Sequence, residues 1–168
     1  GVAVLSRAPL ADVVRNIPGF TDESSRVLTV TVDAPGGPVR LVNGYFVNGQ
    51  APGTEKFEYK MSWLRALRDH VREELARHPR LVLLGDFNIA PEDRDSYDPE
   101  GLRETIHHTT EERDHFRRLL ELGLVDSFRL FEQPEKSYSW WDYRMLGYQK
   151  NRGLRIDHIL VSEALRGE

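Results

Sequence analysis

Residues 81–88 read Leu-Val-Leu-Leu-Gly-Asp-Phe-Asn, and they decide how the rest of this chain is interpreted. Four consecutive apolar residues predict a short strand that is buried on both faces, as in a sheet that lies between layers. The strand ends on Asp86 and Asn88, and alternation along an extended chain places both side chains on one side. Because the carboxyl ends of strands carry the sites of α/β sheets, both residues are candidate functional residues.

A carboxylate beside a carboxamide suits Mg²⁺, which takes oxygen ligands, keeps water molecules and shares the oxygens of substrate phosphates. Asp86 could also accept a proton from an attacking water. A purely structural alternative stays open, in which Asp86 caps a turn and Asn88 adopts the left-handed conformation.

The neighbouring patterns predict a mixed α/β or α+β domain. Residues 26–33 and 39–46 alternate with period two around the turn Pro35-Gly36-Gly37-Pro38, which indicates a hairpin. Thr54 is a helix cap for an amphipathic helix that stops before Pro79, and Thr109 with Glu112 has the spacing of a capping box. Gly123 is the expected helix C-cap, residues 125–131 and 137–141 read as short extended segments, and residues 154–161 read as a final strand.

Three further polar residues are candidates, each with a structural alternative. Tyr45 and Asn48 fall where a strand becomes a loop, so a phenol and an amide could meet a phosphate there, or Tyr45 could simply pack on the rim. Asp157 lies inside an apolar strand, where a carboxylate must be paired or hydrogen-bonded. It could hold another catalytic group in place, or form a buried ion pair with Arg155 or Arg152.

The segment from Tyr138 to Arg152 interleaves aromatic and basic side chains. Such a composition is typical of a surface that stacks on bases and contacts phosphates, although a core strand with alternate aromatics would look similar. The residues concerned include Trp140, Arg144, Lys150 and Arg152.

Composition limits the remaining possibilities. The chain has 168 residues, no cysteine, 39% hydrophobic and 30% charged residues, and a net charge of -4. These values indicate an ordinary globular domain, exclude thiolate zinc sites and disulfides, and suit a cytoplasmic location. No apolar run approaches the roughly 20 residues of a membrane span. A protein that holds nucleic acid by bulk charge is usually basic, so any nucleic acid contact here must be local.

Both ends of the chain fall in strand-like sequence. Residues 2–5, Val-Ala-Val-Leu, have the pattern of a buried strand, and the last residues follow another strand-like run. We therefore expect residues 1–168 to be a single domain that is truncated at both ends.

Taken together, four ordered stretches resemble the exonuclease III family of the endonuclease/exonuclease/phosphatase superfamily. They are residues 1–7, residues 43–49 with Tyr45, residues 84–91 with Gly-Asp-Phe-Asn, and residues 139–144 together with 151–157. The resemblance covers nearly the whole chain. It departs from the family pattern at Val47, where the family usually has Pro, and the family's metal-binding Glu and its terminal Asp-His pair have no match in these residues.

The resemblance implies a fold and an activity. The fold would be part of a four-layer α/β sandwich of two packed mixed sheets with flanking helices. The activity would be hydrolysis of phosphodiesters in double-stranded DNA with Mg²⁺ or Mn²⁺, by a monomer that acts as a 3′-5′ exonuclease at 3′ ends and as an endonuclease at abasic sites.

The resemblance also assigns roles residue by residue. Asp86 would activate water, Asn88 would stabilise the transition state and join Asp86 at the metal, and Tyr45 would be the active-site phenol. Asn48 would contact the scissile phosphate and Asp157 would orient its neighbours. Trp140 and Leu154 would line a pocket for a flipped abasic sugar, with Arg144, Lys150 and Arg152 as phosphate contacts.

Two other functions stay open. Because the unmatched Glu and His are needed for phosphoryl chemistry, residues 1–168 alone are expected to be inactive, and the chain would then be a truncated DNA-binding or structural piece. A superfamily phosphatase that acts on a small phosphoester is the other alternative.

Overall fold

The computed structural model describes residues 1–167, in which two helices pack on one face of a six-stranded mixed sheet. The sheet order is β1-β2-β3-β4-β8-β5, and β6 and β7 form a separate ribbon. The strands are β1 (Ala11–Arg15), β2 (Val27–Val32), β3 (Val39–Tyr45), β4 (Leu81–Asp86), β5 (Leu124–Asp126), β6 (Trp140–Trp141), β7 (Gly153–Leu154) and β8 (Asp157–Ser162). The helices are α1 (Glu55–Arg77) and α2 (Thr110–Leu120). The predicted α/β class is confirmed.

The central strands β3, β4 and β8 each have one end at the same edge of the sheet. The predicted hairpin is confirmed, since β2 and β3 pair antiparallel from Val27 with Gly44 to Val32 with Val39. Strand β4 pairs parallel with β3 and antiparallel with β8. The carboxyl ends of β3 and β4 therefore lie beside the first residue of β8.

Both helices begin at the caps that the sequence predicts. The Thr54 hydroxyl accepts from the amide of Phe57 at 3.2 Å, and the capping box of Thr109 with Glu112 is present. The apolar stripe of α1 is buried against the sheet, and its members are Phe57, Met61, Leu64, Leu67 and Val71. Because these side chains recur every three or four residues, they bury one face of the helix and fix its rotation. Within residues 1–167 no helix is both long and apolar enough to cross a membrane.

The strand predicted at residues 2–5 is wrong. No regular structure forms there and Leu5 is 96% exposed, whereas the strand that pairs with β2 is Ala11–Arg15. The described contact of the early segment is a hydrogen bond of 2.9 Å from the Asn43 side-chain amide to the Ala3 carbonyl. A strand depends on a hydrogen-bonded neighbour as well as on an apolar pattern, and residues 11–15 occupy that edge of β2.

Three predicted bounds also change. The final strand divides into β7, which pairs with β6, and β8, which pairs with β4 and β5, and Arg155 between them binds buried carboxylates. Residues 125–131 keep a strand only up to Asp126, after which a 3-10 turn spans Ser127–Leu130. Helix α2 is capped at Glu121, and Gly123 follows with a φ of +96° in the turn into β5.

The two faces of the sheet differ in burial. Leu81 and Leu83 on the helical face are fully buried, as predicted, but Val82 and Leu84 on the opposite face are only part-buried. Ile159 of β8 on that same face is 52% exposed. Residues 1–167 thus supply one large sheet and the helical layer on one of its sides.

Candidate active site

Three of the predicted catalytic side chains stand next to one another at the edge of the sheet. Tyr45 is the register partner of Asp86 across β3 and β4, and Asp86 is the register partner of Asp157 across β4 and β8. Tyr45 is 41% exposed and Asp157 is exposed, while Asp86 is half-buried between them. The edge therefore offers a phenol and two carboxylates to solvent within three adjacent strands.

A glycine lets this edge form. Gly85 has a φ of +137°, and a Cβ placed on it would lie 1.9 Å from the carbonyl oxygen of Gly44. No side chain fits that approach, so strands β3 and β4 come together here only because position 85 is glycine. The close contact between Gly85 and Gly44 lies directly before Asp86 in the chain.

Asn88 takes the structural role that the sequence left open as an alternative. It adopts the left-handed conformation with a φ of +51°, and its backbone amide donates to Asp86 Oδ1 at 2.9 Å. Its side-chain amide donates to the Phe46 carbonyl at 3.1 Å, which holds the carboxamide beside the carboxylate. The turn is therefore what positions the two polar side chains.

Asn48 joins the same group from the loop after β3. Its side-chain amide donates to Asn88 Oδ1 at 3.3 Å, and its own oxygen accepts from the backbone amide of Gln50 at 3.1 Å. Asn48 is exposed, whereas Asn88 is only 4% exposed. Two carboxamides and the Asp86 carboxylate thus form one hydrogen-bonded row.

The environment of Asp86 favours the protonated carboxyl. Burial raises its pKa to about 6, and the negative charge of Asp157 adds to the rise. The hydrogen bond from the Asn88 amide and the charge of Lys60 act in the opposite direction. A group with a pKa near the working pH is well suited to accept and return a proton.

The ion pair that the sequence offered as an alternative for Asp157 is wrong. Arg155 points to the other side of the sheet, where it binds Asp95 and Asp126. Within residues 1–167 the Asp157 carboxylate has no hydrogen-bond or ion-pair partner, and its backbone amide donates to Ser139 Oγ at 3.1 Å. The carboxylate is therefore directed toward solvent beside Asp86.

The donor set at this edge fits a hard divalent cation in part. Among residues 1–167 no three His, Cys, Asp or Glu side chains converge on one point. The carboxylates of Asp86 and Asp157 nevertheless supply oxygen atoms, and the Asn88 carboxamide adds its Oδ1. Mg²⁺ is commonly held by one or two carboxylates together with waters and substrate phosphates, so these residues are compatible with such an ion.

The aromatic and basic residues lie around a separate cavity of about 500 Å³. Trp140 and Leu154 are register partners in the ribbon, and both line this cavity with Arg144, Arg152 and the loop 97–108. Lys150 is exposed and does not line it. Arg144 is already paired with Asp142 at 2.7 Å.

His107 connects the cavity with the row of polar residues. It lines the cavity, and its Nδ1 donates to the Asn88 carbonyl at 2.7 Å. Burial, followed by the charge of Lys60, lowers its pKa to about 4, so this imidazole is neutral at physiological pH.

Among residues 1–167, three sets of buried ions were missed from the sequence. The first is Lys60 with Glu112, the second is Arg40 with Glu74, and the third is Arg155 with Asp95 and Asp126. A signal for the first existed, because Lys60 adjoins the apolar stripe of α1, where a charge at a buried position requires a partner.

In metal-free protein, Asp86→Asn is expected to stabilise the fold at about pH 8. A carboxyl whose folded-state pKa is raised adds stability below its ordinary value of 3.8 and loses that contribution as the pH rises through about 6. The full shift corresponds to about 3 kcal/mol, and partial exposure reduces this to about 1–2 kcal/mol.

Urea unfolding in EDTA at a series of pH values measures this difference. Because asparagine does not ionise, the advantage of the variant should shrink steadily as the pH falls from about 7 to about 4.5. A variant no more stable than the wild type at about pH 8 would show that burial does not penalise the Asp86 charge.

The fold and this edge define a class of protein. The sequence matches the Endonuclease/Exonuclease/phosphatase family over residues 1–167, and the chain belongs to that family. The family is a class of divalent metal-dependent nucleases.

Individual relatives resemble the chain over nearly its full length. Exodeoxyribonuclease III of Haemophilus influenzae is 34% identical in an alignment of 174 positions that covers 98% of this chain and 65% of the relative. The structure of the 3′ phosphatase NExo from Neisseria bound to product DNA hairpin superposes with a TM-score of 0.91 at 47% identity, over 96% of this chain and 62% of that one. An AP endonuclease from Archaeoglobus fulgidus gives 0.85 at 28% identity, over 95% and 61%. The chain thus spans somewhat less than two thirds of the length of these relatives.

Proposed function

We propose that the protein containing these residues is a DNA repair nuclease that hydrolyses phosphoesters at 3′ ends of double-stranded DNA. The observation that carries the proposal is the row formed by Asn48, Asn88 and Asp86 beside Asp157 and Tyr45. It combines a proton acceptor, amide donors and a phenol at one edge of the sheet, and these groups suit an attack of water on a phosphate.

In this mechanism each residue acts from where it lies. Asp86, whose pKa in the metal-free protein is about 6, accepts the proton of the attacking water. The side-chain amides of Asn48 and Asn88 donate to phosphate oxygens, Tyr45 approaches the phosphate from β3, and Asp157 orients the attacking group. A bound divalent ion, Mg²⁺ or Mn²⁺, would neutralise charge on the phosphate, and Asp86 and Asn88 would help to hold it.

The cavity and the relatives support a substrate class. The cavity between the ribbon and residues 97–108 would receive the terminal sugar, with Trp140, Leu154 and Arg152 in its lining. The likeness to a 3′ phosphatase, at 47% identity, supports processing of 3′ ends. A sugar without its base would fit the same apolar wall, so incision at abasic sites is the second candidate, supported by the likeness to an AP endonuclease.

We expect the complete gene product to remove a 3′ phosphate from a nicked duplex in the presence of Mg²⁺ or Mn²⁺, and to lose this activity in EDTA. Labelled duplexes with a 3′ phosphate, a recessed 3′ hydroxyl or one abasic site separate the three activities. A small phosphoester such as p-nitrophenyl phosphate serves as the comparison substrate.

The results discriminate between the candidates. Faster turnover of the 3′ phosphate or 3′ hydroxyl duplex supports 3′-end processing, and faster cleavage of the abasic duplex favours the second candidate. Hydrolysis of the small phosphoester alone, or release of DNA product that EDTA does not inhibit, would contradict the proposal.

A further inference from the structure

Lys60 lies fully buried beneath the row of polar residues. It belongs to α1, and its ammonium group donates to the Asn88 carbonyl at 2.8 Å, to the Asn48 carbonyl at 3.2 Å and to Glu112 Oε1. These are three acceptors for the three N–H bonds of an ammonium group. The lysine therefore connects the loop after β3, the loop after β4 and helix α2 through one atom.

The counterion of Lys60 is itself fixed from several directions. Glu112 Oε2 accepts from the Thr109 backbone amide at 3.1 Å and from the Thr109 hydroxyl at 2.8 Å. Its other oxygen accepts from the backbone amide of His107 at 3.2 Å. Because Glu112 completes the capping box of α2, the charge that balances Lys60 does not move independently of the helix.

The stem of Lys60 also shapes the loop that carries Asn48. A Cβ on Gly49 would lie 2.9 Å from Lys60 Cδ and 3.3 Å from Ile106 Cδ1, and Gly49 has a φ of +88°. The backbone next to Asn48 therefore rests directly on the lysine chain. A shorter side chain at position 60 would leave this loop without support.

Burial of a lysine costs free energy, which a well-packed apolar residue would avoid. The desolvation lowers the pKa of Lys60, and the charge and hydrogen bond of Glu112 oppose that change. The lysine touches no solvent and so has no direct route to a substrate. Its contacts lead instead to Asn48 and Asn88, the two residues that we place on the phosphate.

We propose that Lys60 is a positioning residue, which holds the carbonyls of Asn48 and Asn88 on one ammonium group and thereby sets the spacing of their side-chain amides beside Asp86. This positioning role rests on the proposed function, in which the two side-chain amides bind a phosphate. If these amide donors are displaced, they stabilise the transition state less. Ground-state binding of DNA changes little, because its affinity comes mainly from surface charge.

The test removes the buried pair as a unit. The double variant Lys60→Met/Glu112→Gln leaves no unpaired buried charge, and such replacements are often neutral for stability. The matched control is Arg40→Met/Glu74→Gln, which removes the other buried pair of α1, with an N–O distance of 2.5 Å and both side chains 3% exposed. We expect the Lys60 double variant to lower kcat about 100-fold with KM within about 3-fold, and the control to keep both within about 3-fold.

The outcomes separate this proposal from the proposed function. Wild-type kcat in a folded Lys60 double variant, or an equal loss in the control, would overturn the positioning role. If the wild type hydrolyses none of the DNA substrates, the proposed function fails. The positioning role is then judged from the NMR signals of the Asn48 and Asn88 side-chain amides, which should shift in the Lys60 variant and stay in place in the control.

A second variant covers the case in which the double variant does not fold. Lys60→Arg keeps the charge but places its donors in a rigid fork, so the Asn48 to Asn88 contact of 3.3 Å should lengthen and kcat should fall with it. A kcat that stays at the wild-type value although a crystal structure shows this contact broken would refute the proposal.

Discussion

Replacement of Asp86 by asparagine is expected to lower turnover of a DNA phosphoester by at least about 10³-fold, because the carboxamide has a similar shape but cannot accept a proton. Asn88 would keep its backbone hydrogen bond, now to the amide oxygen at position 86, so the turn should persist. DNA affinity should remain within a few-fold, since most of it depends on phosphate contacts elsewhere.

Single-turnover cleavage and a filter-binding titration of the complete gene product measure the two quantities separately. Asp157→Asn provides the comparison, because Asp157 lies at the same edge and is expected to orient a neighbour without accepting the proton itself. A loss smaller than that of Asp157→Asn would remove Asp86 from the role of proton acceptor.

Arg155→Met is expected to destabilise the fold by about 3–5 kcal/mol, since it leaves the buried Asp126 without a cation and the buried Asp95 with Arg129 alone. Arg155 Nε donates to Asp95 Oδ1 at 2.7 Å, and its NH2 group donates to Asp126 Oδ2 at 2.7 Å. Asp95 is fully buried, Asp126 is 8% exposed, and the guanidinium lies 5.0 Å from the centre of the Phe128 ring. The Asp95 and Asp126 carboxylates are both largely shielded from water in this packed arrangement.

The control for this prediction is Arg144→Met, which breaks the exposed pair with Asp142. Exposed pairs contribute little to stability, so its midpoint in urea should stay near that of the wild type. Equal losses in the two variants would mean that the Arg155 cluster is no stronger than a surface pair. Arg155 directly follows Leu154 in the chain, and its backbone amide donates to the Asp95 carbonyl. Because Leu154 lines the cavity, we expect the Arg155 variant to loosen the wall of the cavity.

The sequence predicted the elements whose signals are local. The hairpin, helix α1 and strand β4 each carry a period or a cap that the structure confirms. The apolar residues 2–5 misled the prediction, because a strand also needs a free edge and residues 11–15 took it. Local patterns cannot decide between two segments that compete for one neighbour.

The same difference between local and long-range signals applies to the candidate active site and to the buried ions. Asp86 and Asn88 were predicted from the end of one strand, because their spacing of two positions places both side chains on the same side. The partners of Arg155 come from positions 95 and 126, and Lys60 reaches Glu112 across 52 positions of chain. The choice among several carboxylates for one buried cation depends on how the elements pack, which the composition of a segment does not reveal.

The contact between Gly85 and Gly44 has a consequence for the history of this protein. Every missense change at codon 85 adds at least a Cβ, which would meet a backbone oxygen 1.9 Å away. No neighbouring side chain can shrink to make room, because the obstacle is main chain. Position 85 is therefore closed to substitution, and we expect sequence variation around the site to collect in the ribbon and the loop 97–108, which this obstacle does not constrain.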